Sequence, residues 1–152
     1  MPTDGRLAVG RSMPRLPMMD STCVFCSGDG GLKVYDDGRC RVVITDEPFA
    51  GFCRVIWNAH VREMTDLPSA DRAHLMNVVF RVEAAIRALL SPYKINLASL
   101  GNVVPHVHWH VIARFADDAH FPDAIWAAPR RQAAPRPAVA DEALARAIMA
   151  AL

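Results

Sequence analysis

No apolar run reaches the roughly 18 residues that a membrane-spanning helix requires. Charge of one sign is also missing: 17 Lys and Arg stand against 16 Asp and Glu, a formal net charge of +1. That balance supplies no global field for nucleic acid or an anionic membrane, so neither is an expected partner. The N-terminus carries Arg6, Arg11 and Arg15 among prolines and lacks the unbroken apolar core of a secretory signal. With no export signal, a reducing, cytoplasmic setting is expected. Disulfides are then a poor first reading of Cys23, Cys26, Cys40 and Cys53. There is no internal repeat. What is present, 52% hydrophobic and 22% charged residues in a chain of 152, describes one globular domain with tails.

The chain divides into three expected parts: a flexible leader over 1–20, a folded domain over 21–128, and a Pro/Arg-rich linker with a short Ala-rich helix over 129–152. After the glycines of 28–31, RCRVVIT (39–45) reads as a strand with Cys40, Val42 and Ile44 on one face. FCRVIW (52–57) reads as a second, with Phe52, Arg54 and Ile56 on one face and Cys53, Val55 and Trp57 on the other. Leu75, Val78, Val79, Val82, Ile86, Leu89 and Leu90 form one helical stripe, which predicts a long helix from Ala70 to Leu90, stopped by Ser91-Pro92. A short strand over 94–98 and another from His106 to Arg114 follow. This order predicts an α+β fold: an antiparallel sheet with one long packing helix.

The chemistry concentrates in His106-Val107-His108-Trp109-His110-Val111-Ile112. Strand alternation puts the three imidazoles on one face, neighbours about 7 Å apart, and Val107, Trp109 and Val111 on the other, against the helix. A single histidine is usually a passive surface residue; three in strict alternation opposed by large apolar residues are not. Such a row serves either as metal ligands or as nucleophile, acid and base. A metal site of the cupin kind wants a carboxylate soon after the row, and none follows before Asp117. Attack on a phosphate ester by histidine is the better fit. Cys23-x-x-Cys26 is open between a redox pair, a metal pair and coincidence.

The triad resembles that of the histidine triad (HIT) nucleotide hydrolases and transferases. The resemblance extends to Gly101-Asn102 before the first histidine, to Asp46 after a strand, and to Val55-Ile56 followed by His60, covering roughly Cys23 to Phe115. GNVVPHVHWHVI looks like a bacterial branch described as diadenosine polyphosphate hydrolase-like. The resemblance implies a HIT-like fold, usually a homodimer, acting on dinucleoside polyphosphates or nucleoside phosphoramidates. His108 would be the nucleophile and become nucleotidylated. His106 and His110 would orient it and share proton and charge work, and Asn102 would donate to phosphate oxygens. Asp46 would hold the ribose, and the Gly101 loop would add backbone donors. Some bacterial HIT proteins bind structural zinc through a CxxC pair, a histidine after the apolar strand and the first triad histidine. Here those positions are Cys23, Cys26, His60 and His106. No organic cofactor is implied.

The sequence also departs from the family. Asn102 replaces a Gln and reaches one methylene less far; Val103 replaces a Ser or Thr; Gly51-Phe52 replaces a Gly-His pair; and Arg54 stands where an apolar residue is common, placed to touch phosphate or shift base preference. Two alternatives to hydrolysis stay open: nucleotidyl transfer to a phosphorylated acceptor, and nucleotide binding as an adaptor with weak or no catalysis. Cys40 and Cys53 read as packed thiols, His74 and His120 as surface residues, Asp117-Asp118 as a solvated turn, and Arg130, Arg131 and Arg136 as a solvated tail.

Overall fold

The computed structural model describes residues 19–134 and 136–152; most of the expected leader lies outside them. A single helical turn, α1 (Val24–Ser27), leads into β1 (Leu32–Asp36), β2 (Cys40–Ile44) and β3 (Cys53–Trp57). A 3-10 turn at Met64–Asp66 precedes the long helix α2 (Ser69–Leu90), and β4 (Lys94–Ala98), β5 (His108–Arg114) and α3 (Asp141–Ala151) complete the chain. The strands form one five-stranded sheet in the order β1-β2-β3-β5-β4, antiparallel at every pairing. The expected α+β class and long helix are as observed. β1 was not expected: it is an edge strand, mostly exposed, with no clean alternation.

One face of the sheet carries the core. Cys40, Val42, Ile44, Cys53, Val55, Trp57, Val107 and Val111 pack against Leu75, Val78, Val79, Val82 and Ile86 of α2. The alternation in β2, β3 and β5 is therefore the one the sequence prescribes, with the histidines on the opposite face. β5 begins at His108 rather than His106. Pro105 has no N–H to donate, and His106 N–H turns back to the Val104 carbonyl at 2.8 Å. Val107 nonetheless bonds Trp57 and Val61 through its backbone, at 3.0 and 2.7 Å, which keeps His106 in phase with the strand.

The C-terminal helix is part of the core. Leu144 and Ile148 are buried in the same cluster as α2, and α3 packs on α2 and β1. The expected solvated tail is likewise tied down: Arg130 pairs with Asp123, Arg131 donates to the carbonyls of Asp118 and Phe121, and Arg136 pairs with Asp117 while lying over the Phe115 ring. His74 is half-buried and bonded to Asp37 at 2.5 Å, joining α2 to the β1–β2 turn, instead of facing water. Cys40 and Cys53 are fully buried, and burial first of all pushes both thiols up to about 12. Replacing Ile148→Ala is expected to cost about 2–4 kcal/mol, as for a fully buried aliphatic residue; urea denaturation measures it, and a loss below 1 kcal/mol would mean α3 is an appendage.

Candidate active site and metal centre

β5 lies between β3 and β4, so its outer face is flanked by strands on both sides. Ile56 is opposite His108, and Arg54 and Ala98 are opposite His110. His106, His108 and His110 are 1%, 5% and 7% exposed. One ring nitrogen of His106, Nε2, lies 2.6 Å from the Trp57 carbonyl, and Nδ1 of His108 lies 2.6 Å from the His106 carbonyl. A carbonyl oxygen has no proton to give, so each of these nitrogens carries the hydrogen. The tautomers follow: neutral His106 keeps its lone pair on Nδ1, and neutral His108 keeps its own on Nε2. No hydrogen bond occupies His108 Nε2 among the described residues. The Ser99 hydroxyl donates to the His108 carbonyl at 2.7 Å and holds that residue from its backbone.

Burial sets the protonation of the row. Desolvation lowers the pKa of His106 and His108, opposed in each by the bond to a carbonyl and reinforced for His108 by Arg54. His110 is pushed down to about 4 by desolvation first, then by His108 and Arg54. All three imidazoles are consequently neutral near pH 7, the form a nitrogen nucleophile needs. Phe25 walls the row edge-on, 4.9 Å from the His108 ring and 5.8 Å from His106, and Phe52 stands 5.5 Å from His110. His110 Nδ1 is buried with no hydrogen-bond partner.

The lone pair of His106 points at sulfur. Its Nδ1 is 3.4 Å from Cys23 Sγ and 3.6 Å from Cys26 Sγ, and His60 Nδ1 is 3.4 Å from Cys26 Sγ. All four ligand atoms lie within 4.8 Å of one another. Zinc bonded tetrahedrally to two sulfurs and two nitrogens spaces them by about 3.5 Å, so the residues fit the ion. The backbone carbonyl on the far nitrogen of His106 is the usual outer-shell partner of a metal-bound imidazole. The loop bearing the cysteines is held by Arg41, a largely buried residue whose guanidinium donates to the carbonyls of Phe25, Gly28 and Asp29 and to Asn58.

The other expected substrate residues are less converged. Arg54 shares the histidine face, bonded to Glu47 at 3.1 Å and to the Gly30 carbonyl at 3.3 Å. Gly101, at φ +73°, turns the loop before the triad, and Asn102 is exposed on it. Asp46 is exposed beyond the end of β2, in a shallow depression with Gly30, Gly31 and Asp141, with no direct contact to the triad. Sequence reasoning passed over Phe25, Arg41, Ser99 and Trp126, whose ring lies 5.2 Å from His110. Only Arg41 carried a signal, a lone cation inside an apolar strand.

Residues 31–117 match the sequence model of the HIT domain, more than half of the chain. The chain belongs to the HIT domain family. Family members bind nucleotides and act on them as hydrolases or transferases. The fold is similar to a histidine triad protein from Bradyrhizobium japonicum, at 25% identity and TM-score 0.68, over 80% of this chain and 90% of that one. A HIT protein from Sinorhizobium meliloti aligns at 27% identity and TM-score 0.66, covering 82% and 91%. A zinc-bound HIT family protein from Mycobacterium smegmatis aligns at 27% identity and TM-score 0.58, covering 86% and 92%. No curated protein matches the chain. No helix among the described residues is long and apolar enough to cross a membrane.

The depressed pKa of His110 has a consequence for stability. Above pH 6.5 both folded and unfolded states hold the ring neutral. Between 6.5 and about 4 only the unfolded state takes the proton, so stability falls as pH falls through that window. Urea denaturation at a series of pH values, compared between the wild type and His110→Asn, is expected to show a shallower decline in the variant; identical slopes would refute the assignment.

Proposed function

We propose that this protein hydrolyses dinucleoside polyphosphates or nucleoside phosphoramidates through a nucleotide linked to His108. The observation that carries the reading is the His108 tautomer: Nδ1–H is committed to the His106 carbonyl, and the lone pair on Nε2 is free. Nε2 attacks the α-phosphorus; the new P–N bond forms as the bond to the leaving oxygen or nitrogen breaks, and the leaving group takes the proton it needs from solvent water as it departs. The positive charge that develops on the ring is relieved by the carbonyl at Nδ1. Water then attacks phosphorus and gives one proton to solvent, the P–N bond breaks with its electron pair returning to Nε2, and the nucleoside monophosphate leaves with His108 neutral again. His110, neutral and with an unpartnered Nδ1, hydrogen-bonds the reacting phosphate, and His106 orients the nucleophile through its backbone. Arg54, whose charge already reaches both His108 and His110, balances the phosphoryl oxygens. Asp46 takes the ribose, and Asn102 with the Gly101 loop takes the remaining phosphate oxygens. The substrate class rests on the likeness of GNVVPHVHWHVI to the diadenosine polyphosphate hydrolase-like branch.

In the same reading Cys23, Cys26, His60 and His106 hold a structural zinc ion with no open coordination position. The ion would supply no chemistry to the reaction, only a fixed position for His106. The spacing of the four ligand atoms and the zinc-bound relative from Mycobacterium smegmatis support this. The free thiols fit a cytoplasmic setting. A homodimer is part of the proposal, since the edge strand β4 has an unpaired outer side among the described residues. The adaptor reading draws on the exposure of Asn102 and Val103 on the loop before the triad.

Incubation with adenylyl substrates labelled at the α-phosphorus is expected to leave acid-labile label on His108, and His108→Ala is expected to lose both label and turnover. Turnover unchanged in His108→Ala refutes the mechanism, and binding without turnover across a substrate panel favours the adaptor. Metal analysis of the purified protein is expected to find about one zinc per chain, lost in a Cys23→Ser/Cys26→Ser variant together with several degrees of Tm. A zinc-free wild type removes the metal from the proposal.

A further inference from the structure

Beyond the triad, β5 ends in Arg114, a cation only 1% exposed. Its Nε and Nη2 donate to the two carboxylate oxygens of Asp118 at 2.8 and 3.1 Å, Nη1 to Asn96 Oδ1 at 2.7 Å, and Nη2 to the Asp123 carbonyl at 2.8 Å. Asp118 also receives the backbone N–H groups of His120 and Phe121 at 2.9 and 2.7 Å. A buried guanidinium satisfied in this way fixes the loop around it. The loop is pinned on both sides of Trp126: Ile125 is buried against Phe52 and Ile112, and the Ala127 carbonyl accepts from His120 Nδ1 at 2.8 Å.

All this anchoring holds an indole in water. Trp126 is 52% exposed although its ring lies 5.2 Å from that of His110, whose buried Nδ1 has no partner. An uncovered aromatic surface therefore lies against a ring that holds an unsatisfied polar atom, and a ligand that carries a flat ring beside a hydrogen-bonding oxygen would complete both. Position narrows the ligand further. Trp126 lines a hollow with Lys94–Ala98 of β4, whereas Asp46 follows β2, about 14 Å away across three strand spacings. With the ribose at Asp46 and the scissile phosphorus at His108, only the part of the substrate beyond the broken bond reaches Trp126.

We propose that Trp126 forms a leaving-group subsite, stacking an aromatic ring carried by the group that departs from phosphorus, with His110 bonding an adjacent phosphate oxygen. The inference rests on the nucleotide-hydrolase reading. It makes Trp126 a specificity residue for substrates with a ring on both sides of the scissile bond. That ring is either the second base of a dinucleoside polyphosphate or the aryl group of a phosphoramidate.

The test pairs substrates that differ in whether the leaving group carries an aromatic ring: diadenosine tetraphosphate against adenosine tetraphosphate, and an adenosine aryl-phosphoramidate against adenosine phosphoramidate. In Trp126→Ala, kcat/KM is expected to fall about tenfold for the ring-bearing member of at least one pair and less than about twofold for its ringless partner, with Trp126→Phe restoring most of the loss. The pair that responds names the source of the ring. Equal losses within both pairs, or no loss in either, overturn the subsite. If the wild type turns over none of the four, the hydrolase reading fails, and titration by tryptophan emission decides the subsite. Quenching by a ring-bearing compound beyond that by its ringless partner, absent in Trp126→Phe, upholds it; equal quenching or none overturns it.

Discussion

Two hydrogen bonds from imidazole to backbone carbonyl, each 2.6 Å long, determine what the histidine row can do. Because a carbonyl only accepts, the bond to Trp57 leaves His106 with a lone pair on the nitrogen that faces Cys23 and Cys26, and the bond to the His106 carbonyl leaves His108 with a lone pair on Nε2, which has no partner among the described residues. Two chemically identical side chains, two residues apart, thereby present their lone pairs to different surroundings. The strand must be buried for this to hold, since water at either carbonyl would compete for the ring. The sheet supplies that burial by placing β5 between β3 and β4.

The parts of the molecule that obey a single period were legible in the sequence. His106, His108 and His110 alternate with Val107, Trp109 and Val111, and the structure puts them on opposite faces; Leu75 through Ile86 repeat at helical spacing and lie on the core. β1 escaped because an edge strand need not alternate cleanly. Asp118 escaped for a different reason: a turn carboxylate reads as solvated until its partner is known, and Arg114 sits at the end of a strand where a cation reads as exposed. Long-range pairing of buried charge leaves no periodic trace. The four candidate metal ligands became a set through family resemblance, since 80 residues separate Cys26 from His106 along the chain.

Buried arginines do comparable work at the two ends of the site. Arg41 collects the carbonyls of the loop that carries Cys23, Phe25 and Cys26. Arg114 collects Asp118, Asn96 and the Asp123 carbonyl and so positions Ile125 and Trp126. Each is a cation with several fixed donors, able to hold irregular backbone that no ladder reaches. The guanidinium groups remove the freedom of both loops. The histidine face is thus bounded by two loops that buried guanidinium groups tie in place.

The strand order also carries a consequence for how the protein is made. Strands β1, β2 and β3 form successive neighbours, but α2 then carries the chain past the next position to β4, and β5 returns to fill the slot between β3 and β4. β5, which bears His108 and His110, follows the other four strands in the chain, and its place is framed by partners that are already synthesised. The contacts of His106, just before it, close loops reaching back to Trp57 and Cys23, at entropic cost. A nascent or truncated chain that stops short of residue 110 holds no triad, and the buried row of imidazoles comes into being only when the sheet is complete.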